Sequence, residues 1–214
     1  RPVFGGTGFV ETVIIPSGPA CARPVAAESR GRTEGADMDW NDTPEQAAFL
    51  EMLVRLTGAM RALEIGTFTG YGAIRIARGL APDGSLTCFE LDGERAAVAR
   101  ANLDEAGVGE KVEIVVGPAI EGLRALPDEA AVDFAYLDAD KTGYPDYYEE
   151  IVRRLAPGGL LAIDNVLMGG RILDTDPDEG TAAMQIVNDR IMEDDRVDSV
   201  MLGMADGLTL VRRR

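Results

Sequence analysis

The sequence contains no histidine among its 214 residues. This absence excludes catalytic triads, general bases and metal ligands built on imidazole, together with zinc sites that combine cysteine and histidine. The only two cysteines, Cys21 and Cys88, form no CxxC motif, and Cys88 lies in an apolar run typical of a buried small hydrophobe. Any chemistry must therefore depend on carboxylates, lysine, tyrosine, hydroxyl groups or a bound hard cation.

Long hydrophobic runs and basic residues are also scarce. No apolar run approaches the roughly 20 residues that span a bilayer, so we expect a cytoplasmic protein with no membrane partner. Lys and Arg number 21 against 37 Asp and Glu, and the formal net charge is −16. This charge disfavours nucleic acid as a partner, because phosphate binding depends on Lys and Arg.

Hydrophobic periodicity divides the chain into two parts. Residues 1–40 are rich in Gly, Pro, Ala and Arg, show no sustained period, and are predicted to form an irregular segment. Residues 41–214 are regular and predict one domain. Its first helix is expected to have Thr43 as N-cap and Pro44 at the first helical position, and to end at Gly58.

Predicted strands and helices then alternate. Strands are expected at 62–65, 86–91, 112–116, 132–137, 160–163, 197–202 and 208–211, and helices at about 70–80, 94–106, 120–126, 144–155 and 178–193. Continuous apolar strands between helices predict an α/β, Rossmann-like, doubly wound fold with a seven-stranded, mostly parallel sheet. The last two strands, which no helix separates, predict one antiparallel strand near the C-terminus. In such sheets ligands bind beyond the carboxyl ends of the strands, where the strand order switches.

Two of these strand ends indicate a nucleoside cofactor. A glycine-containing turn, Glu64 to Gly70, follows the first strand and would allow close approach of backbone to a ligand. It lacks the GxGxxG pattern, and Glu64 would repel a pyrophosphate, so a nicotinamide cofactor is disfavoured and a cofactor with an ammonium group is favoured. Glu90, at the end of the second strand, suits hydrogen bonds to a ribose diol. An ordinary strand-to-helix turn and a solvated carboxylate are the alternatives.

Two further strand ends carry oxygen ligands. Asp138, Asp140 and Lys141 follow the fourth strand, and Asp164 and Asn165 follow the fifth. Carboxylate and amide oxygens suit Mg²⁺, Mn²⁺ or Ca²⁺ rather than zinc. Helix capping is the alternative for Asp138 alone, but a polar cluster on two successive strands at the ligand edge favours a cation site.

Together these motifs resemble the caffeoyl-CoA and catechol type of S-adenosylmethionine-dependent O-methyltransferases. The resemblance covers residues from about 43 to 214, in the family's order, whereas residues 1–40 show none. The matching stretches are Pro44-Glu45-Gln46, Leu63-Glu64-Ile65-Gly66-Thr67-Phe68-Thr69-Gly70-Tyr71, Gly117-Pro118-Ala119, Asp138-Ala139-Asp140-Lys141, Tyr144, Asp164-Asn165-Val166-Leu167 and Asp206-Gly207-Leu208.

The resemblance implies roles for residues in the cofactor site. Gly66 and Thr67 would line the methionine end of S-adenosylmethionine, with Glu64 nearby, and Glu90 would bind the ribose hydroxyls. Ala119 would present its backbone to the adenine. The cofactor shell would also include Gly72, Asp138 and Asp140. Gly72 stands where the family usually has serine, so one side-chain contact to the cofactor is absent.

The resemblance also implies a catalytic centre with a cation. Asp138, Asp164 and Asn165 would hold Mg²⁺ or a similar ion, and Lys141, beside Asp138, would act as general base or steer the phenolate. A cation bound to both oxygens of a vicinal diol would lower a phenol pKa of about 10. The acceptor would be a small catechol-like aromatic of phenylpropanoid, flavonoid or polyketide type. Met168 would contact it, within a Met-Gly-Gly loop that departs from the family and leaves the acceptor's identity open. A homodimer is expected from the resemblance.

Two other functions remain alternatives. One is a tRNA hydroxyuridine methyltransferase on the same fold, which the acidic charge disfavours and a basic stripe on the surface would favour. The other is a non-catalytic cofactor- or partner-binding module. Such a module needs no hard-cation site, so the set Asp138, Lys141, Asp164 and Asn165 argues against it.

Overall fold

The computed structural model describes residues 43–129 and 131–214, so the predicted irregular segment 1–40 lies outside the described residues. The helices are α1 (Pro44–Thr57), α2 (Tyr71–Gly79), α3 (Gly93–Glu105), α4 (Ala119–Ala125), α5 (Tyr144–Arg154) and α6 (Glu179–Glu193). The strands are β1 (Arg61–Ile65), β2 (Ser85–Glu90), β3 (Val112–Val116), β4 (Val132–Leu137), β5 (Leu155–Asp164), β6 (Val197–Leu202) and β7 (Leu208–Arg213). Within these ranges, no helix is long and apolar enough to cross a membrane.

One seven-stranded sheet organises the molecule in the order β3-β2-β1-β4-β5-β7-β6. Strands β1 to β5 pair in parallel, and β7 pairs antiparallel with both β5 and β6. The predicted Rossmann-like α/β class, with one antiparallel strand near the C-terminus, is confirmed. This strand lies inside the sheet rather than at its edge, because β7 buries Leu208, Thr209 and Val211 whereas most of β6 is exposed.

Each face of the sheet has its own hydrophobic core. On one face, Ala135 and Leu137 of β4 join a cluster that includes residues of α4, α5 and α6. On the other, Phe134 and Tyr136 join a cluster built with α1, α2 and α3. Because alternate side chains of one strand enter opposite cores, the strand reads as a continuous apolar run.

The boundaries of β5 differ from the sequence prediction. The strand begins at Leu155, which pairs with Val132, and not at Leu160. The register shifts before Phe134, and Gly158 has a φ of +82°. The sequence Pro157-Gly158-Gly159, before the predicted start of the strand, therefore forms its irregular, bulged first part, where a missing donor and a positive φ are tolerated.

The strand order switches between β1 and β4. The chain leaves β1 toward β2 and β3 on one side, then returns to place β4 and β5 on the other. The loops that follow β1 and β4 therefore flank a crevice at the carboxyl edge of the sheet. Helix α1 begins as predicted after Thr43, whose hydroxyl accepts a 3.2 Å hydrogen bond from the Gln46 backbone N–H.

Candidate active site

Gly66 brings the ends of β1 and β4 into direct contact. Its φ is +89°, and a Cβ at this position would lie 1.9 Å from the carbonyl oxygen of Asp138. Its backbone N–H donates to Phe89 O at 3.0 Å, and Asp138 N donates to Ile65 O at 2.9 Å. Only glycine fits here, so the predicted cofactor turn and the predicted metal ligand Asp138 are neighbours.

Glu90 is fixed at the end of β2 by backbone donors. Its Oε2 accepts from Phe68 N at 2.7 Å, and its Oε1 accepts from Asp92 N at 3.0 Å. The residue is buried, and each carboxylate oxygen retains acceptor capacity. Thr67, in the same turn, donates its hydroxyl to Phe89 O at 3.4 Å. The turn after β1 and the carboxylate after β2 thus form one unit, as a ribose-binding role requires.

Glu64 lies deeper than the other predicted cofactor residues. It is 1% exposed and accepts a hydrogen bond from the Cys88 thiol at 3.4 Å, across the β1–β2 pair. Burial, followed by the charge of Glu64, raises the pKa of the Cys88 thiol well above its usual value. Cys88 is a free, buried thiol, and its interpretation as a buried small hydrophobe is confirmed.

Three other predicted cofactor residues border the crevice from helices and a turn. Gly72 is buried in the first turn of α2, and Ala119 is the first residue of α4. Asp140 caps the turn Lys141–Gly143, accepting from Gly143 N at 3.1 Å, and also accepts from the Tyr147 hydroxyl at 2.6 Å. Tyr147 therefore orients Asp140. Burial and this hydrogen bond raise the pKa of Tyr147.

Lys141 is the centre of a compact polar cluster. Its Nζ lies 2.8 Å from Asp138 Oδ1, 2.8 Å from Asn165 Oδ1 and 2.6 Å from the Tyr144 hydroxyl. It also lies 4.7 Å from the centroid of the Tyr144 ring. A lysine ammonium has three N–H donors, and each of the three has an acceptor here. All three donors of Lys141 are therefore engaged within this cluster.

Asp164 lies beside this cluster with both of its oxygens engaged. Its Oδ1 accepts from Asn165 N at 2.7 Å, and its Oδ2 accepts from the Tyr136 hydroxyl at 3.0 Å. Burial and the nearby charge of Asp138 raise the pKa of Asp164 to about 6. Asn165 adopts a φ of +59°, which asparagine tolerates better than most residues, and its amide oxygen accepts from Lys141 Nζ.

These residues fit a hard divalent cation. Asp138, Asp164 and Asn165 supply two carboxylates and one amide oxygen from the ends of β4 and β5. Within the part of the chain that the structure describes, no group of three His, Cys, Asp or Glu side chains could hold a metal ion, and the third candidate ligand here is the amide oxygen of Asn165. A cation would stabilise both carboxylates, including Asp164, whose pKa is raised first by burial and then by the charge of Asp138.

Met168 borders the cluster on the side of α6. It is buried and has a φ of +52°. A Cβ on Gly180, in the first turn of α6, would lie 3.5 Å from Lys141 Cβ and 3.9 Å from Met168 Cε. The predicted acceptor residue Met168 and the predicted catalytic residue Lys141 therefore approach the same point on α6.

The sequence interpretation gave no role to three residues of the site. Tyr144 contacts Lys141, and Tyr136 contacts Asp164 while accepting from Gln46 Nε2 at 3.2 Å. Tyr144 and Gln46 belonged to the matched motifs, which was a usable signal. Tyr136 gave only a weak signal, as a polar group within an otherwise apolar strand.

The strand order, the crevice at its switch point and the glycine turn after β1 indicate a Rossmann-like methyltransferase. Comparisons with known proteins identify its family. The O-methyltransferase family profile matches residues 27–214. Caffeoyl-CoA O-methyltransferase 2 of Zea mays is 33% identical over 190 residues, covering 81% of this chain and 71% of that protein. Catechol O-methyltransferase of Niastella koreensis is 40% identical over 139 residues, covering 64% and 63%.

A solved structure shows the same relationship. The O-methyltransferase TomG of Streptomyces achromogenes, in complex with S-adenosylmethionine, has a TM-score of 0.85 and 32% identity, covering 90% of each chain. The chain therefore belongs to the O-methyltransferase family, as an S-adenosylmethionine-dependent enzyme of the caffeoyl-CoA and catechol type.

Proposed function

We propose that this enzyme methylates one hydroxyl of a vicinal diol on a small catechol-like aromatic, with a divalent cation held by Asp138, Asp164 and Asn165. Mg²⁺ is the first choice, and Mn²⁺ and Ca²⁺ share its preference for oxygen ligands. The observation that carries the proposal is the convergence of these side chains around Lys141, where Nζ lies 2.8 Å from two of the three.

The cofactor would lie across the ends of β1 and β2. Gly66 and Thr67 would line its methionine end, and the buried carboxylate of Glu64 would favour its ammonium group. Glu90, already oriented by two backbone N–H groups, would accept from the ribose hydroxyls. The cofactor site would be completed by Gly72, Ala119, Asp138 and Asp140.

The residues of the cluster would position and stabilise the nucleophile. The bound cation would supply Lewis acidity that lowers the pKa of a coordinated hydroxyl. Lys141 would steer the phenolate into line with the methyl group or act as general base. In either role, Nζ would first have to give up one of its three contacts with Asp138, Asn165 and Tyr144. Met168 would border the ring of the acceptor.

The names of the relatives support an aromatic acceptor. The Zea mays and Niastella koreensis proteins are named for caffeoyl-CoA and catechol, both with neighbouring hydroxyls. The tRNA alternative gains no support from the C-terminal arginines: Arg213 donates to Val152 O, and Arg214 pairs with Asp198. A cytoplasmic homodimer remains a prediction from the sequence.

Methyl transfer from labelled S-adenosylmethionine to caffeic acid, with Mg²⁺ or with EDTA, tests the proposal. We expect turnover with Mg²⁺, none with EDTA, and little with p-coumaric acid, which has one phenolic hydroxyl and cannot chelate. Turnover unaffected by EDTA would contradict the metal role. Label transferred to tRNA instead would favour the alternative enzyme, and failure to bind the cofactor would favour a partner-binding module.

A further inference from the structure

A buried hydrogen-bonded chain connects helix α1 to Asp164. Gln46 Nε2 on α1 donates to the Tyr136 hydroxyl at 3.2 Å, and this hydroxyl donates to Asp164 Oδ2 at 3.0 Å. The three residues are 2%, 1% and 4% exposed, so water does not compete for these contacts. These hydrogen bonds join α1, β4 and β5, and no two of these elements are consecutive in the sequence.

The direction of these hydrogen bonds follows from what the amide, the phenol and the carboxylate can donate and accept. An ionised carboxylate only accepts hydrogen bonds, and a phenol has a single proton to donate. Tyr136 therefore uses its proton on Asp164, while its oxygen accepts from the Gln46 amide. Buried hydrogen bonds of this kind are stronger than their solvent-exposed counterparts, and each one polarises the next.

The chain fixes the rotation of the Asp164 carboxylate. Tyr136 engages Oδ2, and the backbone N–H of Asn165 engages Oδ1 at 2.7 Å. Each oxygen then retains acceptor capacity for another partner, which would face the cluster formed with Asp138 and Lys141. Ligand carboxylates in metal sites are held by such outer contacts, which fix their orientation.

We propose that Tyr136 is a positioning residue that orients Asp164 for the divalent cation, and that Gln46 acts through Tyr136. The proposal rests on the proposed function, because it requires the cation site. The proposal makes α1, which follows residues 1–42 in the sequence, part of the support of the cation site. Helix α1 therefore contributes to cation affinity without supplying a ligand.

Mn²⁺ binding to the apo enzyme, measured from the electron paramagnetic resonance signal of free Mn²⁺, tests this proposal. Tyr136→Phe should weaken Mn²⁺ binding by about 10- to 100-fold, the usual effect of removing an outer contact to a metal ligand. Tyr148→Phe is the matched control: Tyr148 is also buried, and its hydroxyl donates to a carboxylate outside the site, Asp194, at 2.9 Å. This control should bind Mn²⁺ as the unmodified enzyme does.

A double-mutant cycle tests whether Gln46 acts on Asp164 through Tyr136. Gln46→Leu should weaken Mn²⁺ binding in the unmodified enzyme, by less than Tyr136→Phe does, and should have no further effect in the Tyr136→Phe background. If Tyr136→Phe fails to fold, the Mn²⁺ affinity of Gln46→Leu alone tests the proposal. Weaker Mn²⁺ binding supports the positioning role of these hydrogen bonds, and unchanged Mn²⁺ binding overturns it.

The cation site and the positioning role of Tyr136 can be refuted separately. If the unmodified enzyme binds no Mn²⁺, the cation site and the positioning role are both overturned. If it binds Mn²⁺ and Tyr136→Phe binds equally well, only the positioning role is overturned. Equal effects of Gln46→Leu in both backgrounds would contradict the claim that Gln46 acts through Tyr136.

Discussion

Gly66→Ala should destabilise the enzyme because the added methyl group meets backbone. The new Cβ would lie 1.9 Å from Asp138 O and 2.7 Å from Asp138 C, so the ends of β1 and β4 must separate. No rotamer can relieve this contact, since both partners are fixed to the main chain. Forcing extra volume into a packed site typically costs about 1–3 kcal/mol.

Gly170→Ala separates this clash from the cost of an unusual backbone conformation. Gly66 and Gly170 both have a φ of +89°, but a Cβ on Gly170 would have nothing within 4 Å. Both substitutions incur the positive-φ strain of about 1–2 kcal/mol and the same change in the entropy of the unfolded chain. The difference in stability between the two variants therefore isolates the clash.

Thermal unfolding by circular dichroism, with isothermal titration of S-adenosylhomocysteine, provides the assay. For a domain of this size, about 2–4 °C of Tm corresponds to 1 kcal/mol, so Gly66→Ala should melt about 2–12 °C below Gly170→Ala. It should also bind S-adenosylhomocysteine more weakly, because the cofactor turn is displaced. Equal Tm values and unchanged affinity would refute the close contact between β1 and β4.

Two further predictions concern side-chain charge. Lys141→Met should lower turnover by about 10²- to 10⁴-fold in the labelled methyl-transfer assay while leaving S-adenosylhomocysteine affinity nearly unchanged. In the control Lys111→Met, the lost Nζ donates to the Ala81 carbonyl oxygen, and this variant should be active. An active Lys141→Met would contradict the assigned role. Hydrogen bonds from Arg196, the principal cause, lower the pKa of Asp194 to about 2, so its ionised form stabilises the fold above pH 4 and this contribution is lost as pH falls toward 2. Asp194→Asn should therefore flatten the fall of Tm between pH 4 and 2, whereas an unchanged slope would exclude this contribution.

The sequence was sufficient to predict elements whose local pattern determines them. The apolar run Val132 to Leu137 and the cap at Thr43 agree with the structure, because hydrophobic alternation and capping act over a few residues. The convergence of Asp138 and Asn165 on Lys141 also followed from the sequence, since parallel strands end at one edge. The sequence did not predict that β7 lies inside the sheet, because this position depends on which of the last two strands is buried on both faces.

The long-range hydrogen bonds of the site were beyond sequence reasoning. Gln46 and Tyr136 are 90 positions apart, and their contact requires α1 to pack on the face of the sheet that Tyr136 enters. Similarly, the Tyr147 hydroxyl donates to Asp140, which also caps the short turn Lys141–Gly143. Periodicity predicts which face of an element is buried, but not which polar groups meet within it.

The central claim is that Asp138, Asp164 and Asn165 hold a divalent cation in front of Lys141. The most direct test is the anomalous difference map of crystals grown with Mn²⁺ and S-adenosylhomocysteine. The account predicts a strong peak within coordination distance of one oxygen from each of the three residues. Mn²⁺ located elsewhere, or Lys141 Nζ still bound between Asp138 and Asn165 with no peak beside it, would contradict the claim.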